Sequence, residues 1–157
     1  PNTPGLRALQ GRAALEDLLG KTLAARDTLA VRPPLLVKIA PDLDEAARRD
    51  IAETVLAARI DGLIVSNTTV ARPPDPMRRL RHLDEAGGLS GWPLFTPSTA
   101  LLREMHQRTG GRMPLIGVGG NEGPGLVEQI NRELPACLRR DGFDSLDAAV
   151  GADHGTE

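Results

Sequence analysis

The sequence has little of what several protein classes require. Its single cysteine, Cys137, excludes an internal disulfide, and we expect it to be buried as a small apolar residue. There is no tyrosine, and the aromatic residues Trp92, Phe95 and Phe143 are too few for a platform on which nucleic-acid bases stack. Lys and Arg number 19 against 21 Asp and Glu, so no basic excess neutralises phosphates and we expect no nucleic-acid partner.

Long apolar runs and metal-binding spacings are also missing. No apolar run approaches the roughly 20 residues that span a bilayer, and no signal peptide is visible. The histidines His82, His106 and His154 are scattered, so we expect no metal site. Because the chain begins with Pro1 rather than Met, we expect it to be processed or to be a piece of a longer protein.

The 157 residues have a globular composition and alternate between short apolar runs and amphipathic stretches. Strands followed by helices indicate a parallel α/β sheet with right-handed crossovers. A closed barrel needs eight strands and about 250 residues, so the sequence predicts either a small open sheet or part of a barrel. The predicted strands span 35–39, 63–66 and 115–118, and the predicted helices span 12–27, 43–59, 96–109, 124–139 and a short turn within 144–150.

Local signals predict where some helices begin or break. Asp42, with Glu45 three residues later, resembles a capping box, so Asp42 is predicted to cap the second helix. Thr96-Pro97 predicts the start of the third helix, with Thr96 as its N-cap. Pro135 lies within the fourth predicted helix, where we expect a kink or break near Leu134.

Chemistry-bearing residues gather where the predicted strands end, which is where sites form in parallel α/β folds. Lys38 lies in an apolar strand, so we expect a salt bridge, an exposed position, or contact with a bound anion or electron-rich cofactor. Ser66-Asn67-Thr68-Thr69 either holds a small polar ring or carboxylate, or caps its own backbone turn. The glycine-rich loops 87–91 and 117–120 would let backbone N–H groups approach a phosphate or flavin, although each alone is a weak signal.

These segments, in their order and spacing, resemble the class 2, quinone-linked branch of the dihydroorotate dehydrogenase family. The resemblance covers nearly the whole chain, and five motifs in series are far more specific than any one. The matching stretches are Pro1-Asn2-Thr3-Pro4-Gly5-Leu6-Arg7, Leu36-Val37-Lys38-Ile39-Ala40-Pro41-Asp42-Leu43, Asp61-Gly62-Leu63-Ile64-Val65-Ser66-Asn67-Thr68-Thr69, Gly87-Gly88-Leu89-Ser90-Gly91, Pro114-Leu115-Ile116-Gly117-Val118-Gly119-Gly120 and Gly151-Ala152-Asp153-His154.

The resemblance implies an FMN-containing (β/α)8 TIM barrel, here an incomplete one of about three to four βα units within a single partial domain, residues 1–157. It implies oxidation of dihydroorotate to orotate in pyrimidine biosynthesis, with electrons passed to a membrane quinone. It also implies peripheral attachment to the bacterial inner (cytoplasmic) membrane or the mitochondrial inner membrane, through a segment that this chain does not contain.

The same resemblance assigns binding roles and a lid. The residues expected to contact FMN are Lys38, Ser66, Gly91 and Gly120. The residues expected to hydrogen-bond the substrate are Asn2, Asn67 and Thr68. Ser66 stands where the family usually has Thr, and residues 1–10 would belong to a mobile lid over the substrate.

Two departures from the family lead us to expect an inactive chain. The family's catalytic base is a serine immediately before the segment that starts at Pro1, so no catalytic residue is expected here. After Gly120 the family has a helix and an eighth strand that binds the FMN phosphate, whereas Asn121 resembles the start of the last helix. About one βα unit, on the order of 25 residues, is therefore expected to be missing at 120/121. The alternatives are another FMN- or phosphate-binding barrel oxidoreductase and a non-catalytic barrel fragment.

Overall fold

The computed structural model describes residues 5–72, 85–120 and 125–149. Asn2, predicted to bind substrate, lies outside the described residues. The chain divides into two compact units, Pro1–Gly120 and Asn121–Glu157.

The first unit alternates helices with the strands of a three-stranded sheet. The strand order is β1-β2-β3, and both neighbouring pairs are parallel, which confirms the predicted fold class. In chain order the elements are a 3-10 helix (Leu6–Gln10), α1 (Arg12–Asp27), β1 (Leu36–Ile39), α2 (Glu45–Ala58), β2 (Gly62–Val65), a second 3-10 helix (Trp92–Leu94), α3 (Phe95–Thr109) and β3 (Leu115–Gly117).

One face of this sheet is buried by the helices. Side chains alternate between the two faces of a strand, so Leu63 and Val65 share a face, as does Ile39, which pairs with Val65. All three have no exposed surface. They join apolar residues of α1, α2 and α3 in one core, whose helical members are Leu15, Leu19, Ile51, Ala52, Val55, Leu101 and Met105.

The opposite face of the sheet is open among the described residues. Lys38 pairs with Ile64, and Ile64 pairs with Ile116, so the three side chains lie on this face. Lys38 is exposed, Ile64 is half-buried, and Ile116 is 47% exposed. Parallel sheets are normally covered on both faces. An uncovered face that carries apolar side chains such as Ile64 and Ile116 is expected for the inner face of a barrel that is not closed.

Two predicted helix starts are wrong. Asp42 does not cap α2, because Asp44 occupies the N-cap and its Oδ1 accepts from the Ala47 N–H at 2.8 Å. Thr96 does not cap α3, because the 3-10 turn Trp92–Leu94 runs directly into a helix that begins at Phe95.

The second unit holds α4 (Gly125–Arg140) and α5 (Leu146–Ala149). We expect a kink or break near Leu134, and of these the break is wrong, because α4 runs through Pro135; the kink stays a prediction. Proline removes one donor of the helix, but the helical bonding continues to the end of α4, where the Asp141 N–H donates to the Cys137 carbonyl at 3.0 Å. Cys137 is exposed rather than buried.

Truncation of the central strand tests the core. Leu63→Ala removes a fully buried side chain and is expected to lower the free energy of unfolding by about 2 to 5 kcal/mol. The measurement is urea unfolding followed by the fluorescence of Trp92, the only tryptophan. Val31→Ala, at an 80% exposed position, is the control and should change stability by less than about 0.5 kcal/mol. Equal effects in the two variants would contradict the described core.

Candidate functional site at the carboxyl ends of the strands

The loops that follow the strands meet at one edge of the sheet. The Ser66 N–H donates to the Val118 carbonyl at 2.9 Å, and the Asn67 N–H donates to the Ile39 carbonyl at 2.8 Å. The segment after β2 is therefore bonded to the chain after β3 on one side and to the end of β1 on the other. We call this edge, formed by residues 40–42, 66–70, 87–91 and 118–120, the carboxyl rim.

Lys38 presents an unpaired ammonium beside the rim. It makes no hydrogen bond or ion pair with any residue that the structure describes, and its exposed position on the open face explains how the apolar strand tolerates it. Lys38 and Asn67 line the same cavity of about 260 Å³, together with Arg7 and Gln10. The rest of the lining is mostly apolar, with leucines of the first 3-10 helix and of α1 and with Val37. Arg7 and Gln10 already bond to Asp42 and to the Ala40 N–H, so Lys38 and Asn67 are the polar groups of this lining that are left for a small molecule.

The side chains that follow β2 are partly used by their own turn. The Ser66 hydroxyl is buried and donates to the Asn67 carbonyl at 3.0 Å. The Asn67 Oδ1 accepts from the Thr68 N–H at 2.9 Å, as the turn interpretation predicts. The amide Nδ2 of Asn67 and the hydroxyl of Thr68 have no partner among the described residues. These two groups therefore remain free to hold a ligand.

Asp42 is the most connected side chain of the rim. Its Oδ1 accepts from the Thr69 hydroxyl, and its Oδ2 accepts from the Val70 N–H at 3.0 Å and from Arg7 Nη1 at 2.8 Å. Burial alone would raise the pKa of Asp42, but the bonds from Thr69, Val70 and Arg7 outweigh it and hold the pKa below its usual range. The carboxylate therefore stays ionised at neutral pH and keeps all three bonds.

The sequence did not predict that Asp42 bonds to Arg7, Thr69 and Val70 at the rim. Its spacing to Glu45 fits a capping box, and that local pattern concealed partners that lie up to 35 residues away. The cavity residues Arg7 and Gln10 were also missed as individual ligand contacts, because the 3-10 helix that carries them gives no periodic pattern.

The two predicted glycine contacts have different surroundings. Gly91 has φ +80, and a Cβ there would meet nothing closer than Pro93 Cδ at 4.0 Å. Gly120 has φ +79 and is buried, and its Cβ would overlap the Cα and Cβ of Phe95. Glycine at 120 is thus required by close packing against α3, whereas the space beside Gly91 is open.

The structure brings most of the predicted site residues to one edge. Ser66 and Asn67 lie within the bonded part of the rim, Thr68 follows directly, and Lys38 lies beside the rim in β1. Gly120 comes two residues after Val118, which bonds to both β2 and Ser66. The loop before Gly91 joins the rim because Leu89 exchanges two backbone hydrogen bonds with Thr69, at 3.0 and 2.7 Å.

The described residues contain neither a membrane-spanning helix nor a cluster of metal-binding side chains. No helix in 5–72, 85–120 or 125–149 is long and apolar enough to cross a membrane. Across these same ranges, no three His, Cys, Asp or Glu residues converge in a way that would hold a metal ion.

Known proteins match this chain along almost its whole length. The family model for dihydroorotate dehydrogenase matches residues 1–132. The mitochondrial dihydroorotate dehydrogenase (quinone) of Oryza sativa subsp. japonica is 49% identical over 98% of this chain and 39% of its own length. The dihydroorotate dehydrogenase (quinone) of Xanthobacter autotrophicus is 44% identical over 98% of this chain and 50% of its own length.

A solved structure matches the fold as well. The crystal structure of ligand-free type DHODH from Eimeria tenella superposes with a TM-score of 0.85 at 33% identity, over 99% of this chain and 54% of that one. Together with the open sheet face, this defines the class of fold as an incomplete (β/α)8 barrel. The chain belongs to the dihydroorotate dehydrogenase family, in its quinone-linked branch, and spans half or less of the two curated relatives named above.

Substitution of Gly120 tests the close packing at the rim. Gly120→Ala is expected to cost about 1 kcal/mol for its left-handed backbone and a further 1 to 3 kcal/mol or so for the overlap with Phe95. Gly5→Ala is the matched control, because Gly5 has φ +82 but nothing within 4 Å of its Cβ position. Urea unfolding should show a clearly larger loss for Gly120→Ala, and equal losses would contradict the described packing.

Proposed function

We propose that this chain is part of a dihydroorotate dehydrogenase that oxidises dihydroorotate to orotate and passes electrons to a quinone. Family membership supports the activity, and the matched relatives are named as quinone enzymes. One structural observation carries the proposal: the ammonium of Lys38 and the amide nitrogen of Asn67, neither of which has a partner in the part of the chain that the structure describes, line one cavity beside the carboxyl rim.

The reaction creates a ring double bond by removing a proton from one carbon and a hydride from its neighbour. Each reacting atom must be held about 3 to 3.5 Å from its acceptor, so the protein mainly binds and orients the ring. Asn67 and Thr68 suit that task, because each offers a free polar group on a backbone fixed by neighbouring strands. Asn2 is assigned to the same task by family resemblance.

FMN is the cofactor that we propose for this site. When bound, FMN supplies the hydride acceptor of the reaction. The described residues fit it in two ways: Lys38 offers a cation without a partner, and the loop at Gly91 leaves open space beside a backbone with positive φ. Ser66 and Gly120 complete the proposed FMN contacts, although Gly120 is already explained by its packing against Phe95.

We also propose that a βα unit is missing between Gly120 and Asn121. The alignment with the rice relative extends over 182 residues, at least 25 more than the 157 residues of this chain. The boundary between the two compact units falls at the same position. Because the family binds the FMN phosphate with that unit, the chain is proposed to be inactive alone, and attachment to the quinone-bearing membrane is proposed to need other segments.

Orotate binding tests the proposed substrate. Isothermal titration of this chain with orotate should show binding that Asn67→Ala weakens roughly tenfold, because a hydrogen bond to a charged or polar ring group is lost. Asn131→Ala, an exposed amide on α4, is the matched control and should bind like the unaltered chain. Equal affinity of the two variants would favour the alternative of another barrel oxidoreductase.

Flavin binding and turnover test the proposed gap. The chain, supplied with FMN, dihydroorotate and a soluble quinone, should form no orotate. Insertion of the corresponding βα unit of the rice relative after Gly120 should raise FMN retention, measured as flavin absorbance after gel filtration, by about tenfold or more. A Gly-Ser insert of equal length is the control. Turnover by the uninserted chain, or equal retention with both inserts, would contradict the proposal.

A further inference from the structure

Asp42 joins three segments that are far apart in sequence. It lies in the loop after β1, and it accepts from Arg7 of the first 3-10 helix and from Thr69 and Val70 beyond β2. Its side chain is 18% exposed, so water competes little for these bonds. A second bond links the same segments, from the Ala40 N–H to Gln10 Oε1 at 2.8 Å.

Thr69 carries this connection to the candidate substrate residues. It is 5% exposed, and its hydroxyl donates to Asp42 and accepts from the Ala71 N–H at 2.9 Å. Its backbone exchanges two bonds with Leu89, in the loop that leads to Gly91. The short span Asn67-Thr68 is thus held at both ends. The Asn67 N–H is bonded to Ile39 of β1 at one end, and Thr69 is bonded to Asp42 at the other.

Arg7 carries the connection to the segment that precedes α1. The 3-10 helix Leu6–Gln10 has no buried residue, so its own packing holds it weakly. The charge-assisted bond from Arg7 to Asp42 is therefore one of the few specific restraints on this segment. Arg7 also lines the cavity that Lys38 and Asn67 share.

We propose that Asp42 is a positioning residue that couples the Leu6–Gln10 segment to the substrate-binding span Asn67-Thr68, so that substrate binding and the ordering of this segment favour each other. The inference rests on the proposed function, since it takes orotate as the ligand of the rim. Asp42 touches neither substrate nor cofactor in this role and acts through Thr69 and Arg7. By linkage, if the ligand stabilises the ordered segment, the ordered segment tightens ligand binding by the same factor. Loss of Asp42 is therefore expected to reduce both effects.

The test compares orotate affinity and amide hydrogen exchange in this chain. Asp42→Ala should weaken orotate binding about tenfold, since a charge-assisted network is lost. In the unaltered chain, orotate should slow exchange of the Ala8 and Gly11 amides of the Leu6–Gln10 segment, and in Asp42→Ala it should not. Asp42→Glu, which keeps the carboxylate, should recover part of both effects. If Asp42→Ala does not fold, Asp42→Asn replaces it, because it keeps the side-chain volume.

Asp44→Ala is the matched control, because Asp44 is also a carboxylate near the start of α2, and among the described residues its side chain bonds only to the Ala47 N–H. It should lose helix stability while keeping both the orotate affinity and the slowed exchange. Equal effects of Asp42→Ala and Asp44→Ala on either readout would overturn the proposal. If the unaltered chain does not bind orotate, the proposed substrate fails; Asp42 is then judged by exchange at Ala8 and Gly11 without ligand, which must be faster in Asp42→Ala than in Asp44→Ala.

Discussion

The rim depends on the backbone hydrogen bonds that the segment after β2 makes to both neighbours. Val65, Ser66 and Asn67 bond across to Val118 and Ile39, at 2.6 to 2.9 Å. Because β2 is the central strand and its inward side chains are fully buried, this segment cannot shift without breaking core contacts. A rigid central strand thereby fixes polar groups that would otherwise belong to an ordinary loop.

Helices cover only one face of the sheet among the described residues. Helices cover the face of Leu63 and Val65, while Lys38, Ile64 and Ile116 stay accessible on the other. In a closed barrel that second face is filled by side chains from the remaining strands. Ile64 and Ile116 remain accessible on this face, and the chain covers only about half of its matched relatives. Both observations indicate a barrel that this chain does not close.

Contacts within the protein explain why residue 120 is a glycine and why Asp42 is ionised, without any ligand. Gly120 is excluded from having a side chain by Phe95, which itself stacks on Trp92 at a ring distance of 5.6 Å. Asp42 is ionised and bonded to the protein on both oxygens. Lys38, in contrast, is left without a partner among the described residues, and this difference supports the proposal that it contacts a ligand.

The sequence by itself determined the type and order of the elements, because apolar periodicity reflects which face of each helix or strand is buried. Helix α1 matches its predicted bounds, β1 and β3 are each one residue shorter than predicted, and β2 is shifted by one residue. Family motifs also suggested the candidate site residues, whose ligand contacts stay predictions. Only the tertiary structure decided the partners of Asp42, the exposure of Lys38 and the packing behind Gly120, because contacts between segments 27 to 35 residues apart leave no local pattern. Local spacing even favoured the wrong role for Asp42, since a capping box and a rim carboxylate look alike in one dimension.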